Sequence, residues 1–274
     1  VPDSTSILGL TGDATLNDSS ALSVYSLELE NFALTLDDAM AGLTVVQPVT
    51  LDAATEQIIS GDADLSLSGG ISVTAGTLSS TSGDVSAYSL SAGTAGVLNF
   101  QDGILNLPGG ATLISGASFS TSNTTLNLGD SLAVADTWTS TNTNLSLTAN
   151  AQLSSTAAVE AATIQTNGFS LNLASETTDL TISDSLTIDS VSGGGIDTGL
   201  ADFTMNGPVT ASSGGISSSG GTLTFGPDSG ATSFVENTGM QLSDTTLVLQ
   251  TNISLNYLKL TGTSSLETNG NTLS

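Results

Sequence analysis

The side chains able to do chemistry are few in kind. Of 274 residues, 26 are Asp or Glu and one is Lys, with no His and no Cys; the single cation is Lys259, so Arg is absent too. Carboxylates are therefore the only abundant acids, bases or hard ligands. Two carboxylates flanking a glycosidic bond can hydrolyse it, and the candidate pairs are Asp37/Asp38, Asp62/Asp64 and Asp184/Asp189. With 26 acids in the chain such neighbours arise by chance, so no catalytic residue is assigned and the chain is read as non-enzymatic. Calcium is bound by clusters of oxygen ligands. The run Asp62-Ala63-Asp64 sets two carboxylates on one side of an extended segment, which makes Asp62 and Asp64 the candidate calcium ligands. No EF-hand loop or glycine-rich nonapeptide array accompanies them. Calcium is thus a candidate cofactor, and no cofactor is required.

Other features carry less. Lys259 lies between Leu258 and Leu260, which predicts an outward position on a strand. Sugar platforms are usually aromatic, but Trp138 is the only tryptophan and aromatic residues make up 4% of the chain. In Thr137-Trp138-Thr139-Ser140-Thr141-Asn142-Thr143 the threonines alternate along one face. Hydroxyl ladders of that kind can order ice, but the alternation fills one coil only and also suits an ordinary outward strand. Four Asn-x-Ser/Thr sequons, at Asn17, Asn123, Asn144 and Asn252, are what chance supplies in a chain with 84 Ser and Thr.

Composition removes whole classes. A net charge of −25 excludes nucleic-acid binding and repels anionic membranes. No apolar stretch approaches the ~20 residues of a membrane span, so no membrane insertion is expected. Without Cys or His there are no disulfides, thiolates or zinc sites. Charged residues are 10% and apolar residues 38%, so the polarity is mostly neutral Ser, Thr, Asn and Gly. That mix favours strands and turns over helices. The chain begins at Val1 without a methionine, which suggests a removed signal peptide or a fragment.

The elements that would position these residues come from a repeat. A nine-residue pattern places two apolar residues around one position, leaves a three-residue gap, then does so again. It reads LGLTGDATL at 8–16, LTVVQPVTL at 43–51, LSLSGGISV at 65–73, LNLPGGATL at 105–113 and LNLGDSLAV at 126–134. It continues as LSLTANAQL at 145–153, LTISDSLTI at 180–188, FTMNGPVTA at 203–211 and LVLQTNISL at 247–255. Weaker copies fill the longer intervals, the poorest around Tyr88–Leu90, and twelve intervals over 239 residues give 19.9 per unit. Apolar-polar-apolar is the signature of a half-buried strand, and the gaps are rich in Gly, Asn and Asp, which turn corners. So short a strand pair can bury its apolar face only on a copy of itself above and below.

The expected fold is therefore all-β: one chain wound into a parallel β-helix, or β-solenoid, of about 20 residues per coil and about 14 coils, with right-handed winding preferred. A row of β-sandwich modules is the rival, but it would not hold a 20-residue phase. Leu126, Leu128, Leu132, Val134, Leu180, Ile182, Leu186 and Ile188 should face inward; Asn127, Ala133, Thr181 and Thr187 should face outward. Residues 1–42 are read as N-terminal coils with a cap or lateral excursion around Glu28, Glu30, Asp37 and Asp38. Residues 43–274 are read as one regular solenoid without an internal linker.

Leu-x-Leu strands, Asn-Gly and Gly-Asp corners, hydroxyl-rich faces and the lack of Cys together resemble bacterial secreted β-helix proteins, namely autotransporter passengers and filamentous-haemagglutinin-like adhesins. The resemblance implies an extracellular or cell-surface protein that adheres or builds fibres. β-helix polysaccharide lyases resemble one another in using a Lys or Arg base beside acidic calcium ligands, and only Lys259 could serve here. The expectation is a structural subunit that self-associates into a homopolymer through end-to-end strand pairing. An adhesin stalk that binds a host or neighbour surface is the alternative, and a carbohydrate-active enzyme a remote one.

Overall fold

The computed structural model describes residues 5–175, 177–189, 195–235 and 238–274. Short parallel strands dominate, and helical structure among these residues is one 3-10 turn, Ser229–Ala231. Two compact units form, Val1–Asp130 with Val134–Thr139, and Ser131–Ala133 with Ser140–Ser274.

In the first unit three parallel ladders run from coil to coil. One joins Leu22–Val24, Gly42–Val45, Asp64–Leu67, Val85–Ala87, Ile104–Leu107 and Thr125–Leu128. A second joins Val49–Leu51 to the start of Ile71–Ser80, the start of Leu90–Gln101 and then Ala111–Leu113. The third joins Ala14–Leu16, Ala33–Leu36, Gln57–Ile59, the ends of those two long strands, and Ser118–Ser122. Ile71–Ser80 spans two ladders because a bulge between Val73 and Ala75 bends it. The second unit repeats the plan. Leu145, Ile164, Leu186 and Val209 are successive partners on one ladder. Leu171, Ile196, Ile216, Met240 and Leu258 follow on another.

The third ladder of each unit measures the coil. Ala14, Leu34, Ile58, Leu78, Leu98 and Phe119 are successive partners, and five steps take 105 residues. Val159, Leu180, Phe203, Leu223, Leu247 and Leu266 take 107 residues over five steps. Both units therefore wind at about 21 residues per coil, which makes about twelve turns among the described residues rather than fourteen.

The discrepancy has a physical cause. The nine-residue pattern is a corner, and different corners carry it. LSLSGGISV leads from the first ladder to the second, whereas LTISDSLTI leads from the third to the first. Two full coils from Leu145 end at Leu186, beyond the next clear copy at Leu180. Thirty-five-residue intervals therefore fall short of two coils, and reading them as two inflates the count. The poor copy at Val85–Ala92 is also explained: its corner has two residues, Tyr88 and Ser89, where others have three.

The core lies between the ladders. All eight residues expected inward are buried, while Asn127, Ala133, Thr181 and Thr187 are half-exposed. In the first unit Phe100 meets Phe119 edge-on at 6.4 Å, and Phe119 stacks on Trp138 at 5.4 Å. The indole Nε1–H of Trp138 donates to Thr121 Oγ1 at 2.8 Å. Segment 28–40 holds a corner with Glu30 and Asn31 at φ 48° and 75°, followed by Ala33–Leu36 in register with its neighbours.

Candidate functional site

Many acidic side chains are corner staples. In a parallel solenoid each corner leaves backbone N–H groups without a ladder partner. Here an Asp or Asn of one coil accepts such a group from another coil, about twenty residues away. Asp13 Oδ1 accepts Ala33 N–H at 2.9 Å, Asp64 Oδ1 accepts Asp84 N–H at 3.0 Å, and Asp84 Oδ1 accepts Ile104 N–H at 2.9 Å. In the second unit Asn150 accepts Ser170 N–H and Asp202 accepts Thr222 N–H.

The candidate carboxylates fall into this scheme. Asp62 lies in the turn before Asp64–Leu67, not on the strand; it accepts the hydroxyls of Ser82 and Thr81 at 2.5 and 3.2 Å. Ala63 between them is buried, so Asp62 and Asp64 both face outward, each with its own partner. Asp37 accepts Ala39 N–H, and Asp38 accepts Asp62 N–H. Asp189 accepts the Thr166 hydroxyl and Gly168 N–H; Asp184 is exposed. Among the described residues no group of three or more acidic side chains comes together where it could hold a metal ion.

Among the described residues two carboxylates are tuned. Glu56 is buried, which opposes ionisation, but its Oε1 accepts Asn31 N–H and its Oε2 accepts Asp52 and Ala53 N–H. Those three donors prevail and hold its carboxyl below the usual range. Asp244, fully exposed at φ 52°, is held low by the backbone N–H and hydroxyl of Thr263 and the hydroxyl of Ser243. Sequence reading did not single out Glu56; a lone glutamate in an Asp-Ala-Ala-Thr corner gives no motif.

Trp138 is buried in the core and offers no platform for a sugar. Thr137, Thr139 and Thr141 face solvent, but Thr143 is buried. Three of the four sequon amides, those of Asn123, Asn144 and Asn252, already hydrogen-bond to a neighbouring coil. Lys259 is exposed on Leu258–Thr261, as its flanking leucines predict.

Two surfaces remain. One is an open trough of about 820 Å³ in the second unit. Its floor exists because Gly195, Gly215 and Gly239 stack on one another; a Cβ on Gly195 would stand 2.0 Å from the Gly215 carbonyl oxygen. Along it runs an outward ladder of Asn172, Asp197, Ser217 and Gln241, continued by Lys259. Asp197 is the only carboxylate among the described residues lining it, and its Oδ1 accepts Gly199 N–H. One such group does not make an acid–base pair.

The other surface is the pair of outermost coils. Leu266 is 39% exposed although its ladder partner Leu247 is 0% exposed, and Leu260 is 39% exposed against 1% for Leu242. In the first unit Leu8 and Leu16 are only half-buried while their partners Leu27 and Leu36 are buried. These inward positions face no further described coil. No described helix is long and apolar enough to cross a membrane.

These features define a class, the parallel β-solenoids, by fold alone. Comparison with protein-family models, curated proteins and solved structures gives no match.

Proposed function

We propose that this chain is a structural, non-catalytic protein of the extracellular space or cell surface that self-assembles into a fibre. The last coil of one copy pairs its strands with the first coil of the next. The observation that carries this reading is the regular parallel register within each unit, in which each coil covers its apolar strand positions on the next. Exposed edges template pairing with another chain, and a head-to-tail contact that does not close propagates as a filament. The acidic surface limits lateral clumping, and a single Lys leaves trypsin-like proteases one cut. The style of the repeat fits autotransporter-passenger and filamentous-haemagglutinin-like surface proteins. The test is sedimentation velocity across a hundredfold concentration range: growing species support the proposal, and a monomer throughout overturns it.

The trough favours a second reading, an adhesin stalk that presents Asn172, Asp197, Ser217 and Gln241 to a host or neighbour surface. It expects cell or glycan binding that Gln241→Ala weakens without altering assembly.

A further inference from the structure

We infer that the trough of the second unit takes a neutral, extended, β-linked glycan, laid along the ladder with about one sugar residue per coil. The inference rests on the stalk reading above and names the chemical class of its ligand.

Asn172, Asp197, Ser217 and Gln241 are successive partners on one ladder, so they form a straight outward row. Each lies on a strand hydrogen-bonded to a neighbour on both sides. The row steps by one strand spacing, roughly 4.8 Å, and runs roughly 14 Å from Asn172 to Gln241. Gly195, Gly215 and Gly239 stand two residues before Asp197, Ser217 and Gln241. Side chains alternate along a strand, so the glycines share the outward face and form a bare strip beside the row. No side chain fits on that strip: a Cβ on Gly215 would stand 2.3 Å from the Gly239 carbonyl oxygen. The result is a polar rail beside open backbone, concave enough to hold a ligand.

The polar groups of the rail are unspent. On another ladder such side chains pair from coil to coil: Asn127 donates to Asn106 Oδ1 at 2.6 Å, and Asn106 donates to Ser86 Oγ at 3.0 Å. In the trough Asn172, Ser217 and Gln241 make no side-chain hydrogen bond among the described residues. Asp197 Oδ1 accepts Gly199 N–H at 3.1 Å, which leaves its second oxygen for a ligand. Two amides, a hydroxyl and a carboxylate offer donors and acceptors together, which suits a ligand dense in hydroxyl groups. Spacing and charge narrow the choice. An extended peptide advances about 3.3 Å per residue and falls out of step with the coils, whereas a β-linked hexose chain repeats at nearly the coil step. The field of 26 acids against one lysine repels chains of uronic or sialic acids, which leaves a neutral glycan.

The test is equilibrium titration of the full chain, at millimolar ligand, with β-1,4-linked gluco-, manno- and galacto-oligosaccharides of two to six residues. At least one series should bind, with affinity climbing to about four residues and then levelling off, because the rail has four members. Gln241→Ala should weaken the four-residue ligand about three- to tenfold and move the plateau to three residues. Thr112→Ala, exposed on the first unit, should change nothing. Unchanged far-ultraviolet circular dichroism checks that both variants fold. No binding by any neutral series, affinity independent of chain length, or tighter binding of tetragalacturonate or a neutral hexapeptide overturns the inference. If Gln241→Ala still weakens binding to cells in that case, the stalk reading survives with another ligand. Cell binding that Gln241→Ala leaves intact overturns both.

Discussion

At the level of single residues, polar side chains in this protein chiefly satisfy corners. Glu56 ties together its own corner and the left-handed turn at Asn31 of the preceding coil. Because its folded pKa is depressed, its contribution is present above the unfolded carboxyl value, about 4.3, and is lost as pH falls through the lower folded value. Glu56→Gln should cost about 1–3 kcal/mol near neutral pH. In urea titrations the gap from wild type should then shrink below about pH 4; a gap independent of pH would contradict the assignment. Trp138→Phe, which removes the indole donor to Thr121, should cost about 1–2 kcal/mol, read from the same titrations followed by circular dichroism. Several hydroxyls assigned to the outer faces on composition are in fact buried at corners. Thr124 donates to the Phe100 carbonyl and Thr177 to that of Leu153. Nothing local distinguishes such a threonine, because its carbonyl acceptor lies 24 residues upstream in each case.

At the level of strands and corners, the alternation of leucines was legible, since each inward pair must find a neighbour. Which corner a copy occupies was not, because every corner joins two inward pairs and therefore looks alike. LTISDSLTI and LSLSGGISV differ in place, not in pattern. Close approach between coils is set at particular glycines. A Cβ on Gly207 would stand 1.5 Å from the Asp184 carbonyl oxygen, whereas one on Gly12 would meet nothing. Gly207→Ala should therefore destabilise the second unit by about 1–3 kcal/mol or more, and Gly12→Ala should be nearly neutral. Thermal unfolding followed by circular dichroism checks both, and equal effects would refute the packing argument.

At the level of the whole molecule, −25 charges oppose the proposed association of copies. The balance should respond to ions in a non-selective way, because Asp62 and Asp64 face outward with a separate hydrogen-bond partner each and the charge is spread along the chain. Magnesium and calcium at equal concentration should lower the critical concentration alike by screening; a strong preference for calcium would point to a specific site instead, with Asp62 and Asp64 the first residues to substitute. Negative-stain electron microscopy of wild type beside a Leu260→Asp/Leu266→Asp variant tests the central claim most directly. The account predicts fibres from wild type and dispersed particles from the variant, with unchanged far-ultraviolet circular dichroism. Fibres from both, or from neither, would contradict it.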